Sequence, residues 1–412
     1  MKTHCFAALF CFAALLPVMF TAAAEIAPDD PMLPDGYRIA AYLNAGEEAQ
    51  ITGASGVSIR LNSGEAHTFP DIEGSAATCF LDPEEVVFTL SGLQPSSDYV
   101  LGFLWWDADR QGRRQSVRFG LGDPPGWSLV LPGAPPLAFD ADQSTYARGV
   151  LPLAGEFSGQ DRLRVAFVRE AGPDAVVNAV WLLERIADDR KKRVLVLTGD
   201  DYVGHPWRET APAMAAVLRE DPRLEVAISE CPAMLGSPLL DYYDAVVIHF
   251  KDYAERLPLG AEVAAGLARY VAAGNGVVLS HFACGAFQER PDFVKVAGRI
   301  WNPALRGHDP HGVFRVRMQD TDHPVTAGMR DFEVLDELYT CLDGDTPIRV
   351  LADAVSVVDQ KTYPMAFVVE GTGGRVFHCV LGHDTRAYAA QGVRDLYRRG
   401  TAWAAGLNPE IP

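Results

Sequence analysis

The feature that most restricts how this chain can fold is a change of hydrophobic period at Ile186-Ala-Asp-Asp-Arg-Lys-Lys-Arg193. Before that charged connector, short apolar runs alternate with Gly, Pro, Asp and Ser. The runs are Tyr37–Leu43, Val57–Leu61, Val86–Leu90, Tyr99–Trp106, Val117–Phe119, Trp127–Leu131, Leu163–Val168 and Val176–Leu183. Many short strands at this spacing, with no helical pattern between them, predict an all-β sandwich or jelly roll over residues 25–187. After the connector, solid apolar strands alternate with helical segments. Strands are expected at Val194–Leu197, Leu224–Ser229, Tyr243–His249, Gly276–His281 and Val376–Leu381. Helices are expected at Thr210–Glu220, about Gly260–Ala273 and Ala387–Ala405. That alternation predicts βαβ units over residues 188–412, in an open parallel α/β sheet with helices on both faces.

Residues 1–24 read as an export leader: Lys2, the apolar run Cys5–Phe20 and the small residues Thr21–Ala24 before Glu25. The run is short for a membrane span, so the expectation is a secreted or periplasmic chain without a transmembrane anchor. A formal net charge of −18 opposes binding to nucleic acid or to an anionic membrane surface, but is compatible with neutral sugars. No motif for a nucleotide cofactor is present, and oligomeric state is not legible. Beyond the leader, Cys79, Cys231, Cys284, Cys341 and Cys379 are scattered without C-x-x-C spacing, which argues against a disulfide framework. Cys379 lies inside an apolar strand and reads as a small buried hydrophobe.

Two local features stand out in the β region. Ser91-Gly-Leu-Gln-Pro-Ser-Ser-Asp-Tyr99 resembles the corner of fibronectin-type sandwiches, where a Tyr hydroxyl ties a loop to the backbone. The adjacent Trp105 and Trp106 face opposite sides of a strand. One belongs to the core; the other is either covered as well or an exposed platform for a sugar ring.

In an open α/β sheet, ligands bind beyond the carboxyl ends of the strands, so the polar residues following each apolar strand matter most. After Val194–Leu197 comes Thr198-Gly-Asp-Asp-Tyr-Val-Gly-His205-Pro-Trp207; after Val277–Leu279 comes Ser280-His281; after Val376–Leu381 comes Gly382-His383-Asp384. Three histidines at three equivalent strand ends point to one shared site. The loop from Gly298-Arg-Ile-Trp301 to Gly307-His308-Asp-Pro-His311-Gly and the segment Phe332-Glu-Val-Leu-Asp336-Glu337-Leu-Tyr339 add imidazoles, a carboxylate pair and an aromatic. Histidine plus glutamate suits a zinc-like divalent ion with an open position, or a general acid/base pair without metal; His281 and Glu337 are the acid/base candidates. Asp201, Trp207, His308, Tyr339 and Arg386 are candidates for holding substrate, although Asp200 or Asp201 could equally cap a turn and Arg386 could lie on a solvated helix start. His249 with Lys251 is a further candidate for the same edge, and His323 either holds its own loop or meets substrate.

Several of these segments, in this order, resemble the ThuA-like (trehalose-utilisation) family of the class I glutamine amidotransferase-like superfamily, over about Lys192 to Asn408. They are Val-Leu-Val-Leu-Thr-Gly with His205, Tyr270-Val-Ala-Ala-Gly-Asn-Gly-Val-Val-Leu-Ser-His281 and Asp322-His-Pro-Val-Thr-Ala-Gly328. Asp336-Glu-Leu-Tyr339, Gly374-Arg-Val-Phe with Leu381-Gly-His383, and Trp403-Ala-Ala-Gly406 complete the set. The resemblance implies a flavodoxin-like sheet, a role in sugar metabolism, and His205, His281, Glu337 and His383 as metal-ligand candidates. The superfamily's amidotransferases carry a nucleophilic Cys on a strand-to-helix elbow. Here Cys284 follows a strand, but the G-x-C-x-G spacing is missing because Phe282 replaces the first Gly. Three functions follow: a secreted carbohydrate-active protein acting on a sugar or keto-glycoside through the His/Glu site; a glycan-binding protein without turnover; and a hydrolase or amidase using Cys284.

Overall fold

The computed structural model describes residues 33–409 except 35, 47–48, 71–77, 135–146, 187–190, 201–203 and 253–260. The expected leader, Asp201 and the middle of the connector therefore lie outside the described residues. The first part of the chain forms β1 (Tyr37–Asn44), β2 (Gln50–Thr52), β3 (Ser58–Ser63), β4 (Glu65–Thr68), β5 (Thr78–Asp82), β6 (Glu85–Ser91) and β7 (Tyr99–Trp105). It continues with β8 (Arg114–Leu121), β9 (Gly126–Ala134), β10 (Ala147–Pro152), β11 (Arg162–Ala171), β12 (Ala175–Val177) and β13 (Ala179–Arg185). These strands make three sheets, ordered β1-β13-β7-β10, β2-β3-β6-β11-β8-β9 and β12-β5-β4. Phe103 and Trp105 of the first sheet meet Phe167 of the second at ring separations of 5.4 and 6.2 Å. Apolar residues at alternate strand positions are thereby removed from water.

The expected single strand Val176–Leu183 is two. Asn178 interrupts it, donating from its side chain to Thr78 O at 2.8 Å, so Ala175–Val177 pairs with β5 while Ala179–Arg185 pairs with β1 and β7. The Tyr99 corner has the anticipated geometry: the Gln94 N–H donates to the Tyr99 hydroxyl at 3.1 Å. Trp105 and Trp106 are both buried, so neither is an exposed platform.

The second part comprises β14 (Lys192–Leu197), α1 (Trp207–Leu218), β15 (Leu224–Ser229), β16 (Ala245–Ile248), α2 (Ala261–Ala272), β17 (Gly276–Ser280) and α3 (Pro291–Ala297). It ends with β18 (Gly312–Met318), β19 (Phe332–Asp336), β20 (Ile348–Val355), β21 (Thr362–Val369), β22 (Val376–Cys379) and α4 (Gln391–Ala404). One sheet ordered β15-β14-β16-β17-β22-β21-β20-β18-β19 holds all these strands. Strands β15, β14, β16, β17 and β22 are parallel as expected; β21, β20, β18 and β19 run antiparallel, so the sheet is mixed. The reason lies in the connections. Only a short turn separates Val355 from Thr362, whereas a parallel pair needs a crossover of a dozen residues or more.

Val194–Leu197, Ala245–Ile248 and Val277–Leu279 are fully buried, as apolar strands covered on both faces must be. Adjacent residues of β22 show the two faces. Phe377 lies against Gly400 of α4, while His378 Nδ1 donates to Ala297 O at the end of α3, 2.9 Å away. The helix expected over Ala387–Ala405 is a 3-10 turn, Ala387–Ala389, followed by α4, with extended Ala390 between them. Buried polar contacts join the two parts: Glu225 accepts from Tyr37 Oη at 3.0 Å and from Arg185 Nε at 2.9 Å.

Candidate functional site

The parallel register aligns the strand ends. Leu197 lies opposite Ile248, Ile248 opposite Leu279, and Ser280 opposite Cys379. His205, His281 and Gly382-His383 follow these strand ends and gather along one edge. His281 has a φ of 47°, and a non-glycine residue held in that left-handed region costs about 1–3 kcal/mol. It starts the 3-10 turn His281–Gly285, so the strained strand-to-helix turn belongs to His281 and not to Cys284. Cys284 is three residues further on and fully buried, which removes the exposed thiolate that a Cys284 nucleophile requires. Gly382 has a φ of 115°, and a Cβ there would come within 2.9 Å of Tyr388 Oη. Only glycine makes this turn freely, and the turn aims His383 at the other histidines.

One atom each from His205, His281, Glu337 and His383 lies within 4.8 Å of all the others. His205 Nε2 and His281 Nε2 are 3.3 Å apart; His383 Nδ1 and Glu337 Oε2 are also 3.3 Å apart; His281 Nε2 and Glu337 Oε2 are 3.9 Å apart. His281 Nδ1 donates to Val380 O at 2.8 Å, so in the neutral ring the Nε2 lone pair faces the cluster. Tyr339 Oη lies 3.0 Å from that same nitrogen and can donate to it.

The buried Asp336, which the sequence reading treated only as part of a carboxylate pair, organises the arrangement. Its Oδ1 accepts from Glu337 N at 2.9 Å and His383 N at 3.0 Å, and its Oδ2 accepts from Gly382 N at 2.7 Å. One carboxylate thus ties the end of β19 to the turn after β22. Burial pushes its carboxyl up to about 6, against the pull of the three N–H groups.

Burial lowers His205 to about 3, with the charge of His383 adding to the shift, and burial likewise holds His281 well below the ordinary histidine value. For His383, burial is outweighed by the Glu337 contact and by the charges of Glu337, Asp336 and Asp384, so it is raised. For Glu337, burial is outweighed by His383, with His308 and His205 contributing, so it is lowered. The cluster at neutral pH is therefore two neutral imidazoles beside an ionised carboxylate paired with His383.

The other candidate residues divide. Trp207, at the start of α1, and His249 line the cavity that His205, His281 and His383 face. His308 is at the rim: its Nδ1 donates to Asp309 O at 2.7 Å and lies 3.6 Å from Glu337 Oε1. Arg386 is drawn away onto Asp384, its Nε donating at 2.9 Å, and reaches His311 Nε2 at 3.4 Å. His323 Nδ1 accepts from Val325 N at 3.2 Å, the loop-holding role. Trp301, at the start of the His-rich loop, has its ring 5.4 Å from both Phe282 and Tyr339. Gly307 lies flat under it, as any Cβ there would meet the indole at 1.9 Å.

The chain belongs to the ThuA family, described as trehalose utilisation, which matches residues 193–404. No curated protein matches. Among solved structures, a thua-like protein from Parabacteroides merdae is 24% identical, covering 53% of this chain and 91% of that one at a TM-score of 0.45. A second, from Bacteroides uniformis, is 17% identical and covers 55% and 98% at 0.44. A β-galactosidase from Bacillus circulans is 13% identical and covers 54% of this chain and 33% of that one at 0.38.

Proposed function

We propose that His205, His281, Glu337 and His383 hold a zinc-like divalent ion and that this centre serves a carbohydrate-active enzyme working on a sugar or keto-glycoside. The observation that carries the reading is the spacing of the donor atoms. A tetrahedral ion with bonds of about 2.0–2.1 Å sets its ligands about 3.3–3.4 Å apart. The His205–His281 and His383–Glu337 separations are both 3.3 Å. His383 Nδ1 is buried without a well-formed hydrogen bond among the described residues although Glu337 Oε2 is close by, as expected of two atoms aimed at a common point. Three imidazole nitrogens and one carboxylate oxygen are a zinc-type donor set.

A bound ion of this kind supplies Lewis-acid polarisation of a sugar oxygen or activates water. The chain's own residues supply the rest. Val380 O keeps the proton on His281 Nδ1 and so keeps Nε2 available. Glu337 presents Oε2 to the cluster and Oε1 towards His308, so a proton can be held at the rim by the second oxygen. Tyr339 offers a hydroxyl beside the cluster for orienting a substrate oxygen. The sugar class rests on the family description. Export, read from Lys2 and Cys5–Phe20, is part of the same proposal, and among the described residues no helix is long and apolar enough to cross a membrane.

The test is turnover of trehalose, simple glycosides and their keto derivatives, assayed as purified, after chelation, and after zinc is restored. Activity lost on chelation, regained with zinc and absent in His281→Ala and His383→Ala supports the reading. Activity indifferent to chelation and to both substitutions overturns it.

A further inference from the structure

We propose that the outer face of the sheet containing β8, β9 and β11 is a glycan-binding platform centred on Trp127, separate from the His/Glu cluster. Trp127 is 36% exposed and stands on β9, the edge strand of that sheet. Directly opposite it on β8 is Gly120. A Cβ at Gly120 would sit 2.8 Å from Trp127 Cε3 and 2.9 Å from Pro125 Cβ. The missing side chain lets the indole and Pro125 pack over the neighbouring strand, and the indole stays partly open to water.

The next residue in the same row is Arg164 of β11, opposite Gly120. Its guanidinium is held by Asp123 Oδ1 at 3.2 Å. Arg118 of β8 lies opposite Leu129 of β9, itself 50% exposed, two register positions along and so on the same face. The inward neighbours Val117, Phe119, Val165 and Phe167 are fully buried, so the strands' alternation fixes Trp127, Arg118 and Arg164 on the opposite, outward face. Neighbouring strands are about 4.7–4.9 Å apart, so the guanidinium–carboxylate pair begins two strand spacings from the indole.

This layout fits a polymer of pyranose units. The C–H face of one ring can stack on the indole, and the hydroxyls at its edge or on the next unit can meet the planar donors of Arg164 and Arg118 and the Asp123 acceptor. A protein partner fits less well, since a stable interface buries about 1,200–2,000 Å² around an apolar centre and this face is one indole and one leucine set among charges. The far half of β9 packs into the body of the protein, where Ser237 Oγ donates to Val130 O and Gly236 lies against Pro132. A chain held at Trp127 is thus held by a rigid edge of the molecule.

The experiment is affinity electrophoresis of the full chain in gels containing soluble β-glucan, xylan, starch or polygalacturonate, with intrinsic-fluorescence titration of whichever polymer retards it. Retardation by at least one polymer, weakened about tenfold or more in Trp127→Ala with an unchanged melting temperature, is expected. Gly120→Val, which lifts the ring, is expected to weaken it as well, and Trp127→Phe to retain part of it. His281→Ala is expected to leave retardation intact, which separates this platform from the proposed metal centre. No retardation by any of the four polymers, or retardation equal in Trp127→Ala and the parent, overturns the proposal; capture of a protein in place of glycan does so too.

Discussion

Replacing Asp336 by Asn separates the positioning of the cluster from the stability of the fold. The carboxylate accepts three backbone N–H groups, at 2.7, 2.9 and 3.0 Å. Asn keeps one oxygen, which can serve Glu337 N and His383 N, but turns an NH2 group towards the Gly382 N–H. One buried donor left without an acceptor costs about 1–3 kcal/mol. Against this, Asn relieves a buried charge. The Asp336 carboxyl is pushed from 3.8 up to about 6, and about two pKa units correspond to roughly 3 kcal/mol. The two effects are of similar size, so Asp336→Asn is expected to change unfolding stability by no more than about 2 kcal/mol. Zinc affinity behaves differently. Gly382 loses its tie to the end of β19, which loosens the turn that aims His383, and disturbing a residue that orients ligands costs about 10–100-fold in affinity. The assay pairs urea unfolding at neutral pH in chelator with a zinc titration against a chromophoric competitor. A variant that binds zinc as tightly as the parent would refute the positioning argument, whatever its stability.

Gly382→Ala places a Cβ at a φ of 115° and 2.9 Å from Tyr388 Oη; destabilisation of about 1–3 kcal/mol or more is expected in urea unfolding. Tyr99→Phe removes the acceptor of Gln94 N and is expected to cost about 1 kcal/mol in the same measurement, with the melting temperature lowered. Cys231 and Cys379 are buried, and burial pushes both thiols up to about 12, so neither is expected to react with a thiol reagent at pH 8 until the protein is unfolded. Asp221 is held below the usual carboxylate value: burial would raise it, but the Arg223 side chain and backbone N–H outweigh that. A depressed folded pKa gives stability that is present above the unfolded value and lost as pH falls through the folded one. Asp221→Asn is therefore expected to flatten the acid side of the stability–pH curve below about pH 4, and an unchanged acid slope would count against the Arg223 pairing.

The parts of the structure legible from sequence are those governed by local pattern. Val194–Leu197 and Ala245–Ile248 are fully apolar runs that only a strand covered on both faces explains, and the corner at Tyr99 follows from its own nine residues. The three histidines were placed together because parallel strands end on one edge. The antiparallel strands from Gly312 to Val369 carry no such local pattern, because their pairing is set by short connections and partners far along the chain. The role of Asp336 is illegible in sequence for a related reason. Its neighbours in sequence show only a carboxylate pair beside an aromatic, and only the fold brings the Gly382 and His383 N–H groups onto it. The Trp105-Trp106 pair attracted notice by composition, yet the exposed indole is Trp127, distinguished by the glycine opposite it on another strand.

The central claim is that His205, His281, Glu337 and His383 share one ion. X-ray absorption at the zinc edge, together with metal analysis of protein loaded with zinc and then desalted, tests it most directly. The account predicts about one zinc per chain, three nitrogen ligands and one carboxylate oxygen at about 2.0–2.2 Å, and loss of the ion in His383→Ala. A chain that retains no ion, or one whose ion survives in both His281→Ala and His383→Ala, would contradict it.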